Sequence, residues 1–162
     1  MKNTRTINIL KFIISIVVCQ CAGIIGSVFT TPAIPTWYAT LQKPVFTPPN
    51  WLFAPAWITL YLLMGVAAFL IWRIGLNDWR VRVALSIFLI QLVLNALWSV
   101  VFFGMQSPLY GVIVIIILWF MILLTILRFA RISALAAWLL VPYILWVSFA
   151  SALNISIWVL NP

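Results

Sequence analysis

The chain contains no histidine and no glutamate, and Asp78 is its only acidic side chain. Without histidine there is no imidazole metal site and no Ser–His–Asp triad. One carboxylate cannot form the acid pair of a glycosidase or an intramembrane carboxylate relay. No Walker A or G-x-G-x-x-G run occurs, so a nucleotide-driven pump has no support. Cysteine is nearly as scarce: Cys19 and Cys21 lie two apart, on different faces of a helix. They form no disulfide framework and read as small buried hydrophobes. Charge itself is rare, at 6% of 162 residues against 67% hydrophobic, and mean hydropathy is +1.25. Soluble domains carry about 25% charged residues. A polar coat cannot be assembled here, so the chain reads as an integral membrane protein.

Hydropathy divides residues 1–162 into five spans of about 20 residues, which leaves room for one all-α membrane domain and no soluble one. The expected spans are 7–29, 51–72, 83–103, 109–129 and 135–160. The first resembles a signal peptide at its start, but its apolar run continues through Ile24, Ile25, Val28 and Phe29, past the length of an h-region. It is expected to be a retained helix. Basic residues then segregate. Lys2, Arg5, Lys11, Arg73, Arg80, Arg82, Arg128 and Arg131 share one side of a five-span layout, and Lys43 alone takes the other. The positive-inside rule places the N-terminus in the cytoplasm, and the C-terminus and loop 30–50 outside. The net charge of +8 is thus a topology device; no basic patch interleaved with aromatics suggests nucleic acid.

The connection from Thr30 to Asn50 holds five of the nine prolines: Pro32, Pro35, Pro44, Pro48 and Pro49. Long loops are usually lids, binding loops or disordered segments. Trp37, Tyr38, Leu41, Val45, Phe46 and Trp51 would be costly to leave in water, and prolines reduce the entropy lost when a loop packs. An ordered cap on the outer face is expected.

No span carries an ionised side chain away from its ends, which argues against an ion channel or coupled transporter. The intramembrane polarity is neutral and localised. Gln91, Asn95, Trp98, Ser99 and Phe102 share one face of the third span; Trp57, Tyr61 and Met64 share one on the second. Trp138, Pro142, Trp146, Ala150 and Asn154 recur every four residues on the fifth. Two readings stand side by side. Gln91, Asn95 and Asn154 are interhelical glue worth roughly 0.6–2 kcal/mol each, or they orient a flat apolar ligand within a tryptophan-lined cavity. An interfacial belt explains Trp72, Trp79 and Trp158 at span ends, but not Trp98, Trp119 or Trp146 well inside. Pro142 is expected to kink the fifth span.

The run Trp37-Tyr38-x-x-Leu41-x-Lys43-Pro44, followed by Thr47-Pro48-Pro49-x-Trp51, continues through Pro55-x-Trp57-x-x-Leu60-Tyr61-x-x-Met64-Gly65. Gln91-Leu92-x-Leu94-Asn95-x-x-Trp98-Ser99-x-x-Phe102-Phe103 and Pro142-Tyr143-x-x-Trp146-x-x-Phe149-Ala150-x-x-Leu153-Asn154 complete it. In this order the motifs resemble the TspO/MBR family, the tryptophan-rich sensory proteins related to the translocator protein or peripheral benzodiazepine receptor. The resemblance covers about residues 7 to 158, and the fourth span carries little of it.

The resemblance implies a five-transmembrane-helix bundle with a ligand pocket beneath the first loop. Family members bind porphyrins and haem-like tetrapyrroles, sterols, and drugs of the benzodiazepine-receptor type. The matching pocket positions are Tyr38, Trp57, Gln91, Asn95, Trp98, Trp146, Ala150 and Asn154, with Trp37 and Trp51 nearby. The function so implied is a membrane receptor, sensor or transport-accessory protein for a porphyrin ligand, with no obligatory cofactor and no metal. Sterol transport is an alternative, although the Tyr and Lys/Arg of the animal cholesterol pattern are missing from the tail Asn154–Pro162. Light-dependent porphyrin degradation is another, with Trp57 and Trp146 implicated. Homodimers occur in the family; here Ala22-x-x-x-Gly26 and Gly23-x-x-x-Ser27 form a small-residue stripe that serves either a dimer or packing within the bundle. Because the chain has no histidine, bound haem lacks its usual axial ligand. Metal-free porphyrin is therefore expected to bind about as well as haem in an absorption titration; much tighter haem binding with an axially ligated spectrum would contradict this.

Overall fold

The computed structural model describes residues 2–162, and no strand occurs among them. The helices are α1 (Lys2–Ala33), α2 (Trp37–Thr40), α3 (Phe53–Trp72), α4 (Trp79–Ser99), α5 (Pro108–Ala130), α6 (Ala134–Leu139) and α7 (Val141–Leu160). A 3-10 turn, Asn50–Leu52, leads into α3, and α4 runs on into a π-helical turn, Val100–Gly104. Five stretches are long and apolar enough to cross a membrane: Arg5–Ala33, Asn50–Trp72, Trp79–Gly104, Pro108–Ala130 and Ala134–Leu160. At 1.5 Å per residue even the shortest exceeds the hydrocarbon thickness of about 30 Å. The chain is an integral membrane protein.

Local chemistry explains where the spans begin. Asp78, Ser107 and Ser133 cap α4, α5 and α6, their side-chain oxygens accepting from Arg80, Tyr110 and Ala136 backbone N–H groups. The third span accordingly starts at Trp79, four residues before the hydropathy boundary. The first span ends later than expected, because α1 accommodates Pro32 in its last turn and continues to Ala33. The Thr36 hydroxyl takes up the freed Pro32 carbonyl at 2.8 Å. The fifth span breaks where Pro142 predicts a kink: Leu140 N–H donates to the Ala137 carbonyl at 3.0 Å, separating α6 from α7. This break turns Trp138 outward, 70% exposed, so the expected stripe survives only from Trp146 onward.

α1 packs against α3 and α4, α4 against α5, and α5 against α6 and α7. α3 meets the fifth span mainly through α6 and makes little contact with α7. The two therefore diverge towards the end that carries loop 34–49, and the bundle is open inside there. Two glycines of the small-residue stripe of α1 face the bundle, Gly23 the Tyr61 ring and Gly26 the Ser99 side chain, while Ser27 is exposed. Cys19 is buried as expected, whereas Cys21 is exposed on the outer face of α1.

The proline-rich connection is an ordered cap, but it is held by Trp37, Tyr38 and Leu41, and Val45, Phe46 and Trp51 stay largely exposed where burial was expected. Tyr38 is buried between Phe102 and Phe103, at ring distances of 6.4 and 5.7 Å. Phe46 packs on Phe149 at 6.2 Å. Thr47 closes a turn on the Pro44 carbonyl through its N–H at 3.0 Å and its hydroxyl at 2.7 Å. The Asn161 side chain then clasps the Gln42 backbone, accepting from its N–H at 3.0 Å and donating to its carbonyl at 2.9 Å.

Two outcomes follow from this packing. A Cβ at Gly65 would lie 2.8 Å from the Ile16 Cα, so Gly65→Ala must push α1 and α3 apart. It is expected to cost about 1–3 kcal/mol in reversible unfolding from detergent. At the end of the bundle away from the cap, hydrogen bonds from the Arg80 side chain and backbone hold the Asp78 carboxyl below the usual carboxylate range. A lowered folded pKa gives stability that is complete above the ordinary aspartate range and is lost as pH falls through the lowered value. The melting temperature should decline below about pH 4, less steeply in Asp78→Asn, which retains a capping oxygen.

Candidate functional site

A cavity of about 350 Å³ lies at the loop end of the bundle, within the size range of small-molecule sites. α1, α3, the end of α4 with its π turn, and α7 form its walls, and α2 contributes Tyr38. Its surface is mainly apolar, and eight of the lining residues are aromatic. Trp57 stacks on Tyr61 at 5.5 Å, Trp98 stacks on Phe102 at 5.2 Å, and Phe53 meets Trp146 edge-on at 6.3 Å. These rings support one another and leave faces turned to the cavity. The π turn, marked by the Met105 N–H to Val100 carbonyl bond at 2.9 Å, brings both Phe102 and Phe103 onto the wall. Such single turns are frequent at functional sites.

Below this space lies a linear chain of neutral hydrogen bonds that ends at Gln91, whose Nε2 has no partner. The Tyr61 hydroxyl donates to the Asn95 carbonyl oxygen. The Asn95 amide donates to the Tyr143 hydroxyl at 2.9 Å, which donates in turn to Gln91 Oε1 at 2.9 Å. All four residues are buried. A second link, one helical turn higher, runs from Trp98 Nε1 to Asn154 Oδ1 at 3.1 Å. Asn154 Nδ2 donates to the Pro108 carbonyl at 3.0 Å. Each link joins different spans.

The structure brings Tyr38, Trp57, Trp98, Trp146, Ala150 and Asn154 together around the cavity. Gln91 and Asn95 do not line it; their amides lie in the hydrogen-bond chain beneath. Trp37 packs on Phe102 at 5.5 Å behind the wall, and Trp51 is 71% exposed at the entry to α3. Trp119 is turned to α7 instead, donating to Ser148 Oγ at 2.8 Å. The wall formed by α1, including Gln20, Gly23, Gly26 and Thr30, was hidden in the sequence, because its glycines read as a packing stripe. Leu153 and Ile157 also line the cavity. Extending the helical spacing from Trp146 through Ala150 would have found them.

No residue lining the cavity carries a formal charge. Among the described residues no group of three His, Cys, Asp or Glu could hold a metal. The site can enclose and stack a flat ligand; it offers no ordinary general acid–base pair. Asn95 is fully engaged by two tyrosines, so Asn95→Leu leaves one hydroxyl without its acceptor and another without its donor. It should lower stability by about 1–3 kcal/mol while changing the affinity of the folded protein for a flat ligand less than twofold. Paired melting curves and titrations check this, and a stable variant that binds poorly would place Asn95 at the ligand.

The TspO/MBR family sequence model matches residues 15–159. The chain is 48% identical to tryptophan-rich protein TspO of Archaeoglobus fulgidus over 95% of its length and 99% of that protein. It is equally identical to the protein of the same name from Chlorobaculum tepidum, over 95% and 98%. The similarity extends to animals: bovine translocator protein is 36% identical over 84% of this chain and 81% of that one. With five apolar spans, an ordered first loop and the aromatic cavity beneath it, the chain belongs to the TspO/MBR family.

Proposed function

We propose that this protein is a membrane receptor or sensor that encloses a flat, apolar tetrapyrrole in the cavity beneath loop 34–49. The observation that carries the reading is the convergence of Trp57, Trp98 and Trp146 on one uncharged space. Indoles present large, polarisable faces, and stacked aromatic pairs gain about 0.5–1.5 kcal/mol beyond area burial. A porphyrin offers the matching surface. Relatives named as a tryptophan-rich sensory protein and as translocator proteins support a sensing or transport-accessory role. The segregation of basic residues supports a cytoplasmic N-terminus with the cap on the opposite side, and relatives such as that of Chlorobaculum tepidum support a bacterial cell membrane.

A second reading, light-driven oxidation of the bound porphyrin by oxygen, is favoured by one observation: Trp57 and Trp146 both line the cavity, where oxidisable indoles would touch the ring. Protoporphyrin titrated into detergent-solubilised protein should show saturable, stoichiometric binding. Trp146→Ala should weaken it roughly 2- to 13-fold; absence of saturation in wild type rejects the tetrapyrrole reading. Illumination of the complex separates the two roles, since an enzymatic product should vanish when Trp57 and Trp146 are both replaced by Phe, whereas bleaching equal to that in empty detergent leaves a receptor only.

A further inference from the structure

The end of the bundle away from the cap carries positive charge that the protein does not neutralise. Arg5 near the start of α1, Arg73 after α3, and Arg128 and Arg131 at the end of α5 all gather there. The chain's one acidic side chain, Asp78, is already paired with Arg80 at 2.8 Å. Lys11 is held beside the seam between α1 and α3: its ammonium donates to the Trp72 carbonyl at 3.3 Å and lies 5.8 Å from the centre of that indole. It has no carboxylate partner either.

One of these charges stands over a groove. Arg5, Asn8, Ile9 and Phe12 follow i, i+3, i+4 and i+7 on one face of α1, and with Phe69 of α3 they line an open groove along the seam. Phe12 meets Phe69 edge-on at 5.3 Å, which gives the groove an aromatic floor. Arg5 and Asn8 have no hydrogen-bond partner among the described residues. Ile9 and Phe12 are exposed, yet both belong to a membrane span, so their neighbour is hydrocarbon. From Arg5 to Phe12 is seven residues, about 10.5 Å along the helix axis. Over that distance the lining passes from a guanidinium through an amide to apolar and aromatic surface.

That gradient selects the occupant. A free phosphate uses Arg5 and leaves Phe12 and Phe69 bare, whereas a phospholipid sets a phosphate above an acyl chain. A zwitterionic lipid brings an ammonium of its own, which the uncompensated charge at this end repels. We propose that the groove between α1 and α3 binds one anionic phospholipid from the leaflet on the N-terminal side. The Arg5 fork, suited to phosphate oxygens, pairs with the headgroup. The Asn8 amide donates to a phosphate or ester oxygen, and an acyl chain lies over Ile9, Phe12 and Phe69. A lipid so placed bridges α1 and α3 and stabilises the folded bundle by mass action. The assignment is independent of what the cavity holds.

The test is native mass spectrometry of the delipidated full-length protein in mild detergent, paired with melting curves. The probes are dioleoylphosphatidylglycerol, dioleoylphosphatidylcholine and glycerol 3-phosphate. Wild type should take up a first phosphatidylglycerol saturably, about fivefold or more tighter than phosphatidylcholine, and its melting temperature should rise with it. Arg5→Gln, at an exposed position, should melt like wild type without lipid. It should weaken phosphatidylglycerol about fivefold, an effect that shrinks at high salt, and change phosphatidylcholine less than twofold. Phe12→Ala should weaken both lipids. Arg131→Gln removes the same charge at the same end but outside the groove, and should change phosphatidylglycerol less than twofold. Equal binding of the two lipids by wild type, or no saturable phosphatidylglycerol, overturns the proposal. Equal losses in Arg5→Gln and Arg131→Gln overturn it in favour of a diffuse charge effect. Glycerol 3-phosphate binding as tightly as phosphatidylglycerol overturns it in favour of a site for a free anion.

Discussion

In hydrocarbon a polar group has no water to turn to, so pairing within the protein is strongly favoured. That constraint shapes this bundle from the inside. Tyr61 on α3, Asn95 and Gln91 on α4, and Tyr143 on α7 exchange hydrogen bonds with one another. They fix three spans at one level, and the helices above that level are free to part. The cavity is the space left above a polar floor. The floor takes up both ends of the Asn95 amide and the Gln91 oxygen, and leaves Gln91 Nε2 unpaired.

The same arrangement accounts for the aromatic content. Tight helix interfaces in membranes favour small residues, and Gly23, Gly26 and Gly65 provide them where α1 meets α3 and α4. Indoles are too large for such seams. Trp57, Trp98 and Trp146 occur where α3 and α7 diverge and where the π turn brings two phenylalanines onto the wall. Packing near the floor and stacking surface near the cap are thus two consequences of one divergence. Ala150, small enough to leave the space open between Trp146 and Asn154, belongs to the same design.

Much of this was legible in the sequence, but unevenly. Five apolar runs and their capping residues determine the spans, and Pro142 announces the break in the fifth. Trp57, Trp98 and Trp146 stand out because a span interior is the wrong place for an interfacial belt residue. The amides were harder. Gln91 and Asn95 share a helical face with Trp98, and face alone cannot tell depth: Asn95 sits three residues below Trp98, about 4.5 Å along the axis, which separates floor from wall. Nothing in the sequence marks the π turn, whose Phe102 and Phe103 pack against Tyr38 of the cap. The partner of Asn95 was invisible too, since it depends on tyrosines that approach from two other helices.

The clasp between Asn161 and Gln42 joins positions 119 residues apart. Asn161 also closes the last turn of α7 through the Ile157 carbonyl at 2.8 Å. A single amide thus buckles the bundle into a ring, with the cap as the strap and the end of the last span as the catch. Releasing it frees both ends together. The cap and the final turn of α7 therefore form one cooperative opening unit, and whatever loosens the strap also frays the helix that holds Ile157 against the cavity.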